Sequence, residues 1–103
     1  MTIRHIVLLP FKSSLSEKEI TQIMEKFGVL KNIIPQIQSF SWGTNNSPEN
    51  LDQGYLHGFT MEFKNDLDRK FYLEHPEHIK FAKELIHPAL KEGVLPVVFD
   101  YKI

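Results

Sequence analysis

The stretch Gly54-Tyr55-Leu56-His57-Gly58-Phe59-Thr60-Met61-Glu62-Phe63-Lys64 divides its residues between two faces. In an extended chain, Tyr55, His57, Phe59, Met61 and Phe63 share one face, and Leu56, Gly58, Thr60 and Glu62 share the other. Successive strand side chains point to opposite sides, so 54–64 reads as a strand with a strongly apolar face. That face carries an imidazole, His57.

Downstream, Asn65-Asp66 caps a short helix carrying Leu67, Phe71 and Leu73. His75-Pro76-Glu77-His78 starts a further helix, with His75 as its cap and Pro76 at the first position, where a missing N–H costs nothing. Ile79, Ala82, Leu85, Ile86 and Ala89 supply its expected core face. Pro88 inside that pattern predicts a kink or break near His87, and Gly93 ends the helix. Val94 to Tyr101 reads as the last strand, and Pro96 within it points to a sheet edge.

Upstream, 36–42 reads as a strand and Gly43 to Gln53 as a polar loop. Ser16-Glu17-Lys18-Glu19 is a capping box. Ile20, Ile23, Met24, Phe27 and Leu30 then follow at helical spacing, with Gly28 weakening the helix and Pro35 stopping it. Residues 3–9 read as the first strand. Ile3, His5, Val7 and Leu9 lie on one face and Arg4, Ile6 and Leu8 on the other, and Pro10 closes it.

The element order is therefore β-α-β-β-α-β, with the second helical segment divided. This is the α+β, ferredoxin-like pattern: a four-stranded antiparallel sheet with helices on one face. Ile6 and Leu8 leave the opposite face apolar, and a second sheet is its natural cover. The expectation is a homodimer with sheets face to face, a dimeric α+β barrel.

At 103 residues the chain makes one domain, 1–103. Twelve Lys plus Arg against 13 Asp plus Glu give a net charge of −1, which argues against nucleic-acid binding and against attraction to anionic membrane. No apolar run is long enough to span a bilayer. The charged start Met1-Thr2-Ile3-Arg4-His5 lacks a signal peptide's apolar stretch, so a cytoplasmic location is expected. With no Cys, thiolate nucleophiles and thiolate metal sites are excluded.

Five His in so short a chain are the chemical clue. His5 and His57 share faces with the core residues of strands that neighbour one another in this fold, so their rings are expected to lie close. His78 overhangs the same space and Tyr72 lies on the preceding helix. Imidazoles near a Tyr in an apolar wall suit a small-molecule site and general acid–base work. Taken singly, a strand His is more often a core residue bonded to backbone, and His87 a surface residue at the kink. Lys64, Asp66, Asp68, Arg69 and Lys70 read as a solvated charged face. No metal site is expected, because only His75 and His78 are close in sequence. Nor is there a phosphate-binding Gly loop.

Taken together, several landmarks resemble the stress-responsive dimeric α+β barrel (Dabb) domain family. They are Arg4-His5-Ile6-Val7-Leu8, Ile33-Ile34-Pro35, Trp42-Gly43, Glu49 to His57, His75-Pro76-Glu77-His78-Ile79 and Val98-Phe99-Asp100-Tyr101. The resemblance runs over nearly the whole chain. It implies a homodimer with a pocket between each sheet and its helices. Plant members of the family include a polyketide cyclase and heat-stable proteins. By that likeness, His78 is the acid–base residue, Tyr72 holds the substrate, and His5 and His57 orient the chain or shuttle protons. Met24, Phe27 and Phe59 fall on pocket-lining positions, where the family's cyclase has Phe, Tyr and a smaller Val. The implied chemistry is a cofactor-free aldol ring closure of a small apolar or polyketide-like ligand. Two other readings stay open: a stress-associated homodimer without catalysis, and a cofactor-free monooxygenase of the same superfamily.

Overall fold

The computed structural model describes residues 1–103. Strand β1 (Ile3–Leu9) leads into helix α1 (Glu17–Ile33), then strands β2 (Ser39–Thr44) and β3 (His57–Phe63). Helices α2 (Asp66–Glu74) and α3 (Pro76–Phe81) follow, and strand β4 (Val97–Lys102) closes the chain. The sheet order is β2-β3-β1-β4, with every pairing antiparallel. The expected ferredoxin-like α+β architecture is the one observed.

Local chemistry explains each element. Ser16 caps α1 in a complete capping box, its hydroxyl accepting from Glu19 N–H while the Glu19 carboxylate accepts from Ser16 N–H. Asn65 caps α2 by accepting from Asp68 N–H. His75 caps α3 through Nδ1, which accepts from Glu77 N–H at 3.1 Å, with Pro76 at the first helical position. No helix is long and apolar enough to cross a membrane.

One continuous core lies between sheet and helices. Ile3, Val7 and Leu9 of β1 and Phe59, Met61 and Phe63 of β3 meet Ile20, Met24, Phe27 and Leu30 of α1. The β3 parity is thus as expected, but the strand begins at His57 rather than Gly54. Gln53 and Gly54 have positive φ (57° and 88°), a left-handed turn that ends the alternation. Tyr55 consequently leaves the core face, and its hydroxyl donates to Leu95 O. β1 keeps its expected span 3–9, whereas β2 starts at Ser39 rather than 36 and β4 at Val97 rather than Val94. Pro96 stands just before β4, which is an edge strand as expected.

The last helical segment departs most from its pattern. After α3 the backbone widens into a π-helical turn, Ala82–Ile86, and then tightens into a 3₁₀ turn, His87–Ala89. Pro88 brings no N–H to bond the Glu84 carbonyl, and the His87 N–H reaches back to Ala82 O instead. Ile79, expected in the core, is half-exposed, and Phe81 takes the buried position of α3.

On the other face of the sheet, Leu8 stands opposite Val97, Ile6 opposite Phe99 and Arg4 opposite Tyr101. Phe99 is 62% exposed there. An alanine-sized group at Gly58 would come within 3.0 Å of the Leu8 side chain, so this glycine lets Leu8 lie flat on the sheet.

Candidate active site

A cavity of about 300 Å³ opens between the helix side of β1 and β4 and the α2, α3 and π-turn segment. Its polar groups are His5, Tyr72, His78, His87 and Asp100, and its apolar wall includes Val7, Phe27, Phe59 and Val98. Three of the four residues expected to form the site, His5, Tyr72 and His78, are brought together here.

Each is placed by its element. His5 lies on the inward face of β1, 5% exposed, with the rings of Phe59, Phe63 and Tyr72 each 6.1 Å away. Tyr72 is the buried residue of α2. His78 stands in the first turns of α3, its ring 4.2 Å from that of Tyr72 at 35°. The π-turn carries Ala82, Ile86 and His87 to the rim. Phe27 and Phe59 touch each other, centroids 4.5 Å apart, and narrow the cavity.

His57 is not part of this site. β1–β3 register pairs His5 with Met61 and Leu9 with His57, so the two imidazoles stand four residues apart along the sheet. That is ~13 Å at the usual strand rise, too far for the expected contact. His57 instead faces Glu17 at 3.3 Å and the Phe11 ring at 5.5 Å. Strand parity fixes the face of His57 but not its position along the sheet. Met24 is fully buried in the core and does not line the cavity. No three His, Asp or Glu side chains are grouped to hold a metal ion.

Two cavity residues lay outside the expected set. Asp100 faces His5 across the β1–β4 ladder, and its Oδ1 accepts from His5 Nδ1 at 2.8 Å. Arg69 Nη1 donates to Asp100 Oδ2 at 3.0 Å. The inward parity of Val98 and Asp100 in the last strand was a usable signal for Asp100. His87, expected as a surface residue at the kink, reaches the rim through the π-turn.

The electrostatics separate the roles. His78 Nδ1 lies 3.2 Å from Leu73 O, and a carbonyl only accepts, so Nδ1 carries the proton and Nε2 the free lone pair. Burial holds the His78 pKa below its usual 6.5; the Leu73 bond opposes this, and His5 and His75 nearby add to the lowering. The ring is therefore a neutral base at pH 7. Burial alone pushes the Tyr72 phenol well above 10, keeping it a neutral donor. A neutral base and a neutral hydroxyl donor side by side can remove a proton and stabilise the oxyanion that forms.

The sequence model described as "Stress responsive A/B Barrel Domain" (Dabb) matches residues 3–103. The stress-response A/B barrel domain-containing protein HS1 of Arabidopsis thaliana is 33% identical over 100 residues, covering 97% of this chain and 88% of that protein. Olivetolic acid cyclase of Cannabis sativa is 28% identical over 101 residues, covering 98% and 96%. The structure of a hydroxynitrile lyase from Passiflora edulis superposes with a TM-score of 0.86 at 36% identity, covering 99% of this chain and 93% of that one. Several bacterial structures of this fold are described as dimeric. With the family pattern spanning 3–103 and the fold matching its members, the chain belongs to the stress-responsive A/B barrel domain (Dabb) family.

Proposed function

We propose that the chain is a cofactor-independent acid–base enzyme of the cyclase or lyase type, acting on a small, largely apolar carbonyl compound. The observation that carries this is the His78 ring held against the Tyr72 ring at the wall of an apolar cavity. In a ring closure, His78 Nε2 takes a proton from a carbon between two carbonyls while Tyr72 donates to the enolate oxygen. The carbanion forms a carbon–carbon bond to a third, more distant carbonyl carbon of the same molecule, and the imidazolium returns its proton to the new alkoxide.

The same pair serves bond breaking. With a cyanohydrin, Nε2 takes the hydroxyl proton, the carbon–carbon bond breaks, an aldehyde forms, and the departing cyanide takes the proton. The wall favours compact substrates. Phe27 and Phe59 hold the volume at the lower end of small-molecule pockets, which run from roughly 300 to 1,000 Å³. The kinship with a hydroxynitrile lyase and a polyketide cyclase supports both directions. His5, fixed by Asp100, orients the substrate.

The functional unit in this reading is a homodimer. Ile6, Leu8, Val97, Phe99 and Tyr101 form the apolar outer sheet face that a second copy covers. The dimeric neighbours support this.

The test is direct. The purified chain is given the cyanohydrin of benzaldehyde and, separately, a β-diketone in heavy water, with aldehyde release and deuterium uptake as readouts. Acceleration over buffer in either assay, abolished in His78→Ala, is expected. A chain that accelerates neither would point to the non-catalytic, stress-associated dimer.

A further inference from the structure

We infer that Arg69 is a positioning residue for His5, acting through the Asp100 carboxylate; the inference rests on the cavity being an acid–base site. Asp100 lies on β4, the edge strand, and its side chain is 19% exposed. A carboxylate there with one partner would be free to turn about its two side-chain torsions. Here both oxygens are held: Oδ1 by His5 Nδ1 at 2.8 Å and Oδ2 by Arg69 Nη1 at 3.0 Å.

The guanidinium is fixed in turn. Its Nη2 donates to Asp66 Oδ1 at 3.3 Å, and Lys102 Nζ lies 3.7 Å from Asp66 Oδ2. The planar fork thus spans two carboxylates, one on its own helix and one on the strand. An ammonium group is a single point of charge and cannot reproduce that. Arg69 stands three residues before Tyr72 on α2, so the fork ties the helix that carries Tyr72 to the strand that carries Asp100. The His5 and Tyr72 rings, 6.1 Å apart, are set relative to each other by this tie. The Arg69–Asp66 pair, 30% and 65% exposed, contributes little to folding, so orientation is the effect to expect from that arm of the fork.

The test reads the His5 Nδ1 proton by nitrogen-edited NMR in the wild type, Arg69→Gln and Arg69→Lys, alongside turnover with whichever substrate the wild type accepts. Losing one charge-assisted bond corresponds to roughly tenfold faster exchange of that proton with water in Arg69→Gln. Arg69→Lys should fall between. Where there is turnover, kcat falls roughly tenfold with KM nearly constant, as expected for lost orientation. Exchange in Arg69→Gln equal to the wild type overturns the inference. Should that variant not fold, wild-type exchange in Arg69→Lys overturns it equally. A wild type with no turnover instead overturns the catalytic reading of the cavity, while the exchange measurement still decides whether Arg69 fixes His5.

Discussion

The His78 ring rests on the Tyr72 ring, with centroids 4.2 Å apart and planes 35° from parallel. Tyr72 is 1% exposed, so it forms a rigid floor for a base that is itself anchored at Nδ1 by the Leu73 carbonyl. Contact and anchor together leave Nε2 as the working atom. In the proposed chemistry the Tyr72 hydroxyl, on the ring that His78 rests against, meets the developing negative charge.

Removing only that hydroxyl separates its chemistry from its packing. Tyr72→Phe should retain the fold, with stability within about 1 kcal/mol of the wild type, because the ring keeps its contacts with Phe63 and His78. Turnover should fall by roughly 100-fold, the usual loss for one oxyanion donor. Thermal unfolding and steady-state kinetics on the same preparation check both halves.

The direction of the His78 shift sets a pH profile. Its folded-state pKa lies below 6.5, so the base stays neutral into mildly acidic solution. Activity should hold from neutral pH to below 6.5 and then fall as the ring protonates. Stability follows the same sign. The unfolded chain binds this proton at about 6.5 and the folded chain only at lower pH, so the contribution is complete above 6.5 and is lost as pH falls toward the folded value. His78→Ala should flatten that part of the stability profile, as measured by denaturant titrations across pH.

Phe59 controls volume. It is 5% exposed and packs on Phe27 and, at 5.7 Å, on Phe40. Phe59→Val should cost about 2–4 kcal/mol in stability, the range for large-to-small core changes. The same variant should shift kcat/KM toward bulkier substrates, as tested with a series of increasing ring or chain size.

The outer sheet face gives a prediction independent of catalysis. Phe99→Glu places a charge opposite Ile6 at the centre of the proposed dimer contact. Sedimentation should show the wild type as a dimer and this variant as a monomer. A monomeric wild type would remove the barrel arrangement.

Much of the fold was legible because its signals are local. The Ser16–Glu19 box, the Asn65 cap and the His75-Pro76 start each fix an element through contacts three residues apart or fewer. The site was legible only in part, because it depends on register. Parity gave the inward faces of His5 and His57 correctly. Only the pairing of Leu9 with His57 shows that the second imidazole belongs elsewhere. Asp100 meets His5 through a pairing 95 residues apart in sequence, which no local pattern encodes. Pro88 announced a break, but a π-turn rather than a simple kink carries His87 to the cavity rim.

In the proposed chemistry His78 is the base. The most direct measurement is deuterium uptake at the acidic carbon of a β-diketone, catalysed by the wild type, Tyr72→Phe and His78→Ala at neutral pH. Uptake well above buffer is expected for the wild type, reduced uptake for Tyr72→Phe, and buffer-level uptake for a folded His78→Ala. Uptake in His78→Ala equal to the wild type would contradict this role of His78.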